Sequence, residues 1–340
     1  MRAILSASVV LGLLISVGLP GPIAAEDDEA PASLDFGVYT SDKPSTMFAK
    51  FKPILAQLES SMSARLDRKV RIKLRIFNTY EGATDALVRG DIDFARFGPA
   101  SYVLAKARDE NIRVLAKELN EGKDRFEGVI VVRKDDAAQS LADLKGRRFA
   151  FGDSQSTIGR FLSQALLADA GLRWSDLSKA EYLERHDRVA TAVLQGDFDA
   201  GAVKIETFAQ YEKQGLRSLV RFWNVTKPWV ARSGLSEEIY TSLGDALIAV
   251  KDAGVLSKIS SGVTGFAKAQ DPDYELVRRG MKRADEFIAA PGSPATTADP
   301  EAPVTPEAAK VPAAPTYRAT SAEPAPPVRA VVTSGAVREK

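Results

Sequence analysis

One stretch of the chain combines the residue types that bind a small oxyanion. Residues 152–159 read GDSQSTIG and stand between a predicted strand and a predicted helix. The N–H groups of a first helical turn have no partner within the helix and carry partial positive charge, so they attract anions. Ser156 and Thr157 add two hydroxyl donors. The pattern therefore predicts an oxyanion site at this helix start, although ordinary N-capping would use the same residue types.

A second pair of candidate donors follows from an internal repeat. Residues 84–95 (TDALVRGDIDFA) and 190–201 (ATAVLQGDFDAG) lie 106 positions apart, and each pattern is a helix that ends in Gly-Asp before a strand. The same offset places Tyr80 opposite His186, each near the start of its helix. The repeat indicates two related lobes, unless it is a coincidence of common helix–strand patterns. A capping or surface histidine and a packed tyrosine are the simpler interpretations of the two side chains.

The remaining reactive residue types limit the chemistry. The chain has no cysteine and one histidine, which excludes disulfides and thiolate chemistry and argues against most catalytic triads and zinc enzymes. The aspartate pairs Asp91/Asp93 and Asp197/Asp199 raise the hypothesis of acid–base or metal chemistry. Their repeated place at helix-to-strand turns favours a role in the turn instead. We expect no enzymatic activity, no cofactor and no metal.

Composition and patterning indicate a soluble α/β protein. The chain has 340 residues, of which 45% are hydrophobic and 27% charged, and its net charge is +1. This balance provides no field for attracting nucleic acid. Predicted strands and amphipathic helices alternate between residues 33 and 290. Such alternation predicts mostly parallel sheets with helices on both faces.

The two ends differ from this central region. Residues 1–25 combine Arg2, an apolar run of about 17 residues and a small-residue site ending at Ala25, which predicts a secretory signal peptide cleaved after Ala25. The run is short for a membrane span, which needs about 20 residues, so an uncleaved anchor is the alternative. Residues 291–340 hold 10 of the 18 prolines and predict a disordered Pro/Ala-rich tail, either a spacer or an accessory segment.

Three stretches resemble the phosphate/phosphite/phosphonate-binding (PhnD-like) components of ABC importers. They are residues 82–102 (GATDALVRGDIDFARFGPASY), 141–159 (LADLKGRRFAFGDSQSTIG) and 185–202 (RHDRVATAVLQGDFDAGA). The resemblance implies a type II periplasmic-binding fold, in which two α/β lobes joined by hinge strands enclose the ligand. It places the first part of lobe 1 at residues 33–127, lobe 2 at 128–222, and the hinge return with the C-terminal helices of lobe 1 at 223–290.

The resemblance also implies roles for the candidate residues. Ser156 and Thr157 would form the oxyanion cradle, and His186 would donate to a phosphoryl oxygen from the same lobe. Tyr80 would donate from the other lobe, and Ser101 would face the cleft from the start of another helix. Two positions depart from the family pattern, since Phe126 replaces a tyrosine near the first hinge and Ile158 replaces a serine.

The far end of the implied pocket bears on the ligand. Glu206 matches one of two carboxylates that hold the ammonium group in aminoalkylphosphonate binders, whereas Lys227 falls near the other. We expect Lys227 either to pair with Glu206 or, like most lysines, to point to solvent. A pair would disfavour 2-aminoethylphosphonate and favour phosphate, phosphite, methylphosphonate or a carboxylated phosphonate.

The combined prediction is a monomeric periplasmic binding protein that captures a phosphorus oxyanion by hinge closure and delivers it to an ABC transporter permease. Three alternatives stay open. The same module could present its ligand to a receptor as a sensor. It could bind an organic ligand such as a thiamine precursor, which would require aromatic walls in place of Ser156 and Thr157. An enzyme that uses His186 and the paired aspartates is the third.

Overall fold

The structure, a computed structural model, describes residues 31–40 and 46–289. The predicted signal peptide (residues 1–25) and the predicted tail (residues 291–340) lie outside the described residues. Within residues 31–40 and 46–289, no helix has the length and apolar character needed to cross a membrane.

Strands and helices alternate along the described chain. The strands are β1 (Ala32–Tyr39), β2 (Val70–Phe77), β3 (Phe94–Arg96), β4 (Arg113–Asn120), β5 (Arg125–Arg133), β6 (Arg148–Phe151), β7 (Lys179–Tyr182), β8 (Ala200–Lys204), β9 (Leu216–Val225), β10 (Pro228–Ala231) and β11 (Val263–Ala267). The helices are α1 (Met47–Leu66), α2 (Tyr80–Arg89), α3 (Pro99–Arg108), α4 (Ser163–Asp169), α5 (His186–Gln195), α6 (Ile205–Tyr211), α7 (Glu237–Ala249), α8 (Ala253–Ile259) and α9 (Glu275–Ile288). A π-helical turn over Thr157–Leu162 leads directly into α4.

The strands form two mixed sheets. The first has the order β11-β4-β10-β3-β1-β2, and the second has the order β7-β6-β8-β5-β9. Only the three strands β3-β1-β2 and the three strands β8-β6-β7 pair in parallel, whereas the other pairings are antiparallel. The prediction of mostly parallel sheets was therefore wrong in detail. Strand β10, by which the chain re-enters the first sheet, and strand β5, by which it enters the second, run against the parallel set. The sequence pattern does not reveal their direction.

The internal repeat has a structural counterpart in the two sheets. Helices α2 and α5 both end at a glycine with left-handed backbone, Gly90 with φ 79° and Gly196 with φ 85°. This conformation is favourable only without a Cβ atom. Helix α2 leads into β3, which pairs in parallel with β1. Helix α5 leads into β8, which pairs in parallel with β6. The two sheets are thus built around copies of one β-α-β unit.

Asp93 and Asp199 occupy equivalent places in these two copies and have structural roles. Asp93 accepts the backbone N–H of Asp35 at 2.8 Å and Arg232 Nε at 2.9 Å. Asp199 accepts the backbone N–H of Arg148 at 2.9 Å and the guanidinium of the same residue at 2.7 Å. Each carboxylate therefore holds the strand beside its own in place.

We expect Asp199→Asn to lower the free energy of unfolding by about 1–2 kcal/mol, since it weakens charge-assisted hydrogen bonds to Arg148. These hydrogen bonds hold the pKa of Asp199 below its usual value. Because a depressed pKa stabilises the fold only while the carboxyl is ionised, the contribution is present above about pH 4 and is lost as the pH falls further. Urea unfolding at pH 7 and pH 3.5 would measure both effects. Equal stability of variant and parent at pH 7 would contradict this role.

The chain passes between the two sheets twice, and the two passages lie side by side. The first connects β4 to β5 and the second connects β9 to β10. The backbone N–H of Thr226 donates to the carbonyl oxygen of Asp124 at 3.1 Å, and that of Glu118 donates to the carbonyl oxygen of Lys227 at 3.1 Å. This pair of strands forms the base of the cleft between the sheets, where hinge strands were expected.

Helix α9 packs against the layers of both sheets. Val277 and Ala284 belong to the apolar cluster that covers one face of the first sheet. Phe287 instead packs with Phe151 and Trp174 in the core of the second sheet. The helix lies so close to the start of α4 that a Cβ atom on Gly280 would be 2.5 Å from Leu162 Cδ2. Residues 223–290 were predicted to return to lobe 1, and their last helix also completes the core of the second sheet.

Candidate functional site

Several helices begin at one cleft between the two sheets. The residues that line this cleft include the helix starts Tyr80 (α2), Pro99 (α3), Thr157 (the π turn before α4) and His186 (α5). Helix starts carry partial positive charge, and in α/β folds ligands bind beyond the carboxyl ends of the strands, where such starts gather. The cleft therefore suits a small anion.

Ser156 and Thr157 are positioned as donors by the backbone around them. Ser156 Oγ accepts the N–H of Gly159 at 3.0 Å, and Thr157 Oγ1 accepts the N–H of Ala100 at 2.8 Å. Both side chains are buried, with 3% and 5% of their residue surface exposed. Because each oxygen already accepts a hydrogen bond, its own hydrogen is left to donate into the cleft. The bond from Ala100 also crosses the cleft, since Ala100 belongs to α3 of the first sheet's layer.

The cradle depends on a close approach of two glycines. The N–H of Gly152, just after β6, donates to the carbonyl oxygen of Gly159 at 2.8 Å. A Cβ atom on Gly159 would lie 2.8 Å from Gly152 Cα, a distance that real Cβ atoms do not adopt against backbone. Only glycine allows the strand end and the helix start to approach in this way.

We expect Gly159→Ala to lower the free energy of unfolding by about 1–3 kcal/mol and to weaken ligand binding, because the added methyl must push the helix start away from β6. Thermal unfolding and ligand titration of the same preparation would measure both effects. Gly146→Ala is a control for the loss of a glycine outside the cleft, where a Cβ atom has open space but the backbone φ of 74° is left-handed. A Gly159→Ala protein with parental stability and affinity would contradict the close-approach argument.

Two stacked tyrosines, one from β1 and one from α2, line the cleft on the side of the first sheet. Tyr39, at the carboxyl end of β1, stacks on Tyr80 with ring centroids 3.7 Å apart. Its hydroxyl accepts the N–H of Gly98 and lies 3.0 Å from Ser101 Oγ. Burial raises the pKa of Tyr39 to about 12, so the hydroxyl stays protonated at physiological pH. The predicted residue Ser101 is fully buried behind Tyr39 and is not part of the cleft lining.

The base of the cleft holds a buried ion pair. Arg96 donates to both carboxylate oxygens of Glu118, from Nε at 2.5 Å and from Nη2 at 3.0 Å. Trp229 Nε1 donates to the same carboxylate at 3.1 Å. The side chains of Arg96 and Glu118 are only 12% and 5% exposed. Two parallel bonds of this kind fix the guanidinium in one orientation at the edge of the pocket.

Two further charged residues, Lys227 and Glu206, lie near this ion pair. Burial, then the nearby cations Arg96 and Lys204, lower the pKa of Lys227 to about 7. Although burial opposes it, the attraction of Lys227 and Lys204 keeps the pKa of Glu206 below its usual value. The ammonium of Lys227 also lies 5.7 Å from the centre of the Phe126 ring.

The predicted pairing of Lys227 with Glu206 was wrong. Across residues 31–40 and 46–289, the ion pairs within 4.0 Å include none between these two side chains, and Glu206 Oε1 instead accepts from Ser260 Oγ at 3.2 Å. The alternative prediction, a lysine in solvent, also fails because Lys227 lines the cleft. The two residues interact across the pocket rather than by direct contact.

The structure brings most of the predicted site residues together. The cleft is lined by Tyr80, Phe126, Ser156, Thr157, His186, Glu206 and Lys227. It is also lined by residues that sequence reasoning missed, among them Tyr39, Arg96, Lys204, Asn224 and Ser260. The position of Tyr39 at the carboxyl end of a parallel strand was a usable signal. No such signal marks Asn224, because its position in the cleft depends on the course of the chain between β9 and β10.

Two α/β layers around a cleft, with two strand passages at its base, define a bilobal binding protein of the type II periplasmic-binding class. The chain belongs to the family described as ABC transporter, phosphonate, periplasmic substrate-binding protein, whose family model matches residues 36–274. This family is a substrate-binding component of transporters and not an enzyme family.

Similar proteins include two curated relatives. The chain is 25% identical over 210 residues to the phosphate-import protein PhnD of Mycolicibacterium smegmatis, covering 58% of this chain and 64% of that protein. It is 30% identical over 189 residues to a probable ABC transporter phosphite binding protein, PhnD1, of Prochlorococcus marinus, covering 51% and 62%. The chain thus spans just under two thirds of the length of these relatives.

A solved structure supports the fold. PhnD1 from Prochlorococcus marinus in complex with methylphosphonate superposes with a TM-score of 0.63 and 24% identity, covering 74% of this chain and 97% of that one. The predicted two-lobed α/β fold is confirmed by this likeness.

Proposed function

We propose that the protein is a periplasmic solute-binding protein that captures a phosphorus oxyanion and passes it to an ABC importer. The observation that carries this proposal is the arrangement at Ser156 and Thr157. Both hydroxyls accept from backbone N–H groups and so keep their own hydrogens for a ligand. They lie in one cleft with Tyr80 and His186, each at the start of a helix. A tetrahedral anion with three oxygens matches such convergent donors.

The number of donors is sufficient for tight binding. A hydrogen bond to a charged group contributes roughly 1.5–3 kcal/mol. Ser156, Thr157, His186 and Tyr80 supply four side-chain donors, to which the N–H groups of the helix starts add. After the cost of association, such a set supports micromolar or tighter affinity.

Capture is proposed to proceed by closure of the two layers on the anion. The hydrogen bond from Ala100 to Thr157 already joins the two sides of the cleft. The paired passages at the base can bend as hinge strands while each sheet stays rigid. An anion held by Ser156 and Thr157 would then meet Tyr80 from the opposite side.

The names of the relatives agree with recognition of the phosphoryl end. One is described as importing phosphate, one as a probable phosphite binder, and one structure holds methylphosphonate. These ligands share phosphorus-bound oxygens and differ in the remaining substituent. We therefore place the phosphoryl group at the Ser156–Thr157 cradle and leave the remaining substituent to the base of the cleft.

The location and the partners are part of the same proposal. The family description is of periplasmic proteins, and residues 1–25 predict a signal peptide. We propose that the protein is exported with cleavage after Ala25 and is a monomer. Its closed form would dock on a permease. Mass measurement of the protein recovered from the periplasm would test the cleavage position.

Titration of the purified mature protein with a small panel tests the ligand class. We expect phosphate, phosphite or methylphosphonate to raise the unfolding temperature and to bind at one site per chain by calorimetry. Nitrate, which is planar, serves as the control anion without a tetrahedral centre. Phosphorus NMR of the incubated mixtures would detect any turnover, which the enzyme alternative requires. If no phosphorus compound binds, or if methylphosphonate is consumed, the proposed function is wrong.

A further inference from the structure

Tyr39 places a hydroxyl in the cleft that the donors named so far do not include. The residue stands at the carboxyl end of β1, lines the cleft and is 8% exposed. Its oxygen accepts the N–H of Gly98 and lies 3.0 Å from Ser101 Oγ. A tyrosine hydroxyl has one hydrogen to donate and can also accept. The direction of the bond with Ser101 therefore decides whether the hydrogen of Tyr39 is left for a ligand.

The burial of Ser101 indicates the direction of this bond. Ser101 is fully buried in the first turn of α3, and its hydroxyl has no hydrogen-bond partner but Tyr39 among the described residues. If Tyr39 donated to Ser101, the hydrogen of Ser101 would be left buried without an acceptor, which is unfavourable. If Ser101 donates to Tyr39, the hydrogen left over is that of Tyr39. This hydrogen is at the cleft, where a ligand oxygen can accept it.

The surroundings of Gly98 bring the Tyr39 hydroxyl close to the oxyanion cradle. A Cβ atom on Gly98 would lie 2.8 Å from Tyr39 Oη and 3.5 Å from Thr157 Oγ1. The two oxygens thus lie within 3.5 Å of one point, although they belong to opposite sides of the cleft. An anion that accepts from Thr157 therefore comes close to Tyr39 as well.

The ring of Tyr39 is held in place before any ligand binds. It stacks on Tyr80, with ring centroids 3.7 Å apart, and on Phe97, with centroids 5.7 Å apart. Burial raises the pKa of Tyr39 to about 12, so its hydroxyl keeps its hydrogen throughout the physiological range. A donor that is already oriented loses little conformational freedom when it binds.

We infer that Tyr39 is a ligand-binding residue whose hydroxyl donates a hydrogen bond to a phosphoryl oxygen. This inference rests on the proposed function and adds a donor from the end of β1. Ser101 is a positioning residue in this arrangement, because its hydrogen occupies the Tyr39 oxygen and leaves the hydrogen of Tyr39 to the ligand. Ser101 acts through Tyr39 and has no place of its own in the cleft lining.

The main test is calorimetric titration of Tyr39→Phe with phosphate, phosphite and methylphosphonate. Phenylalanine keeps the ring that stacks on Tyr80 and removes the hydroxyl. We expect the affinity to fall by about 10- to 100-fold, since one hydrogen bond to a charged group is lost. The factor should be similar for each ligand that the parent binds, because the phosphoryl oxygens are common to all three.

Tyr240→Phe is the matched control for the loss of a tyrosine hydroxyl. Tyr240 Oη donates to the carbonyl oxygen of Val114 at 2.6 Å, and the residue is half-buried outside the cleft lining. This variant should lower the unfolding temperature and leave the affinity unchanged.

A crystal structure of the parent with methylphosphonate separates direct contact from a structural effect of the hydroxyl. Tyr39 Oη should lie about 2.5–3.0 Å from a phosphoryl oxygen. A separation above about 3.5 Å would overturn the inference. An affinity of Tyr39→Phe within about threefold of the parent would also overturn it and leave the proposed function intact.

Ser101→Ala tests the direction of the bond between the two hydroxyls. If Ser101 donates to Tyr39, its loss should weaken binding by up to about fivefold, because hydrogen bonds in a chain strengthen one another modestly. If Tyr39 donated to Ser101, the change would release the hydrogen of Tyr39 and binding would become tighter, contrary to the inference. Failure of the parent to bind any of the three phosphorus compounds would overturn the proposed function itself.

Discussion

Replacing Ser156 by Ala together with Thr157 by Val is expected to weaken binding of phosphorus oxyanions by at least about 100-fold. Each change removes a hydroxyl whose hydrogen is left for the ligand, and each hydrogen bond to a charged group contributes roughly 1.5–3 kcal/mol. Valine keeps the shape of the buried Thr157, so the packing is preserved, although the N–H of Ala100 loses its acceptor. Calorimetric titration with methylphosphonate and with phosphate would measure the loss.

The double change also removes a helix cap, so a control is needed for that effect. Ser156 Oγ caps the π turn through Gly159, and its loss costs about 1 kcal/mol of stability. Ser236→Ala removes the equivalent cap from α7, outside the cleft, where Ser236 Oγ accepts from Ile239. It should lower stability in the same way and leave binding unchanged. Affinity within tenfold of the parent in the double variant would mean that the cradle lies elsewhere.

Glu118→Ala is expected to lower the free energy of unfolding by about 3–5 kcal/mol, because it leaves the Arg96 guanidinium buried without its partner. The same change removes the acceptor of Trp229 Nε1, which lies in the core of the first sheet. Urea unfolding followed by circular dichroism would give the free energy. Tryptophan fluorescence, to which Trp174 and Trp223 also contribute, would show any change in the surroundings of Trp229 in the folded variant.

Two comparisons separate the buried charge from other effects of this change. Glu127→Ala breaks a solvent-exposed pair, in which Arg221 Nη1 lies 3.3 Å from Glu127 Oε2, and should cost less than about 1 kcal/mol. Arg96→Met combined with Glu118→Leu removes both charges and should be less destabilising than Glu118→Ala alone. If the double variant were the less stable of the two, the penalty would come from lost hydrogen bonds rather than from the unpaired charge.

Local patterns were sufficient to predict the repeated unit. The helices over Tyr80–Arg89 and His186–Gln195 follow from apolar spacing and from the glycines that end them, and both signals are local. The strand β9, by contrast, has mostly partly exposed residues without a clean alternation, so the sequence pattern does not mark it as a strand. Helix α9 was predicted, but its contribution of Phe287 to the second sheet's core was not, because this contact joins residues far apart in the sequence.

The residues of the site likewise divide into those that the sequence could predict and those that it could not. Ser156, Thr157, Tyr80 and His186 stand at helix starts, which the sequence marks, so their place in one cleft was predictable. The base of the cleft is built where strands pass between the sheets, and the sequence does not specify which side chains meet there. The direct pair of Lys227 with Glu206 failed as a prediction for this reason, and Asn224 was not considered at all.

The placement of Phe287 bears on how the chain reaches its native state. This residue is fully buried against Phe151 and Trp174, more than one hundred positions earlier in the chain. A chain delivered from its N-terminus, by the ribosome or through a translocation pore, therefore cannot complete the second core until α9 has emerged. Contacts of such long sequence separation slow folding. Late closure of this core would keep the chain unfolded, and so able to pass through a translocation pore, for longer. The second core would form only in chains long enough to include α9.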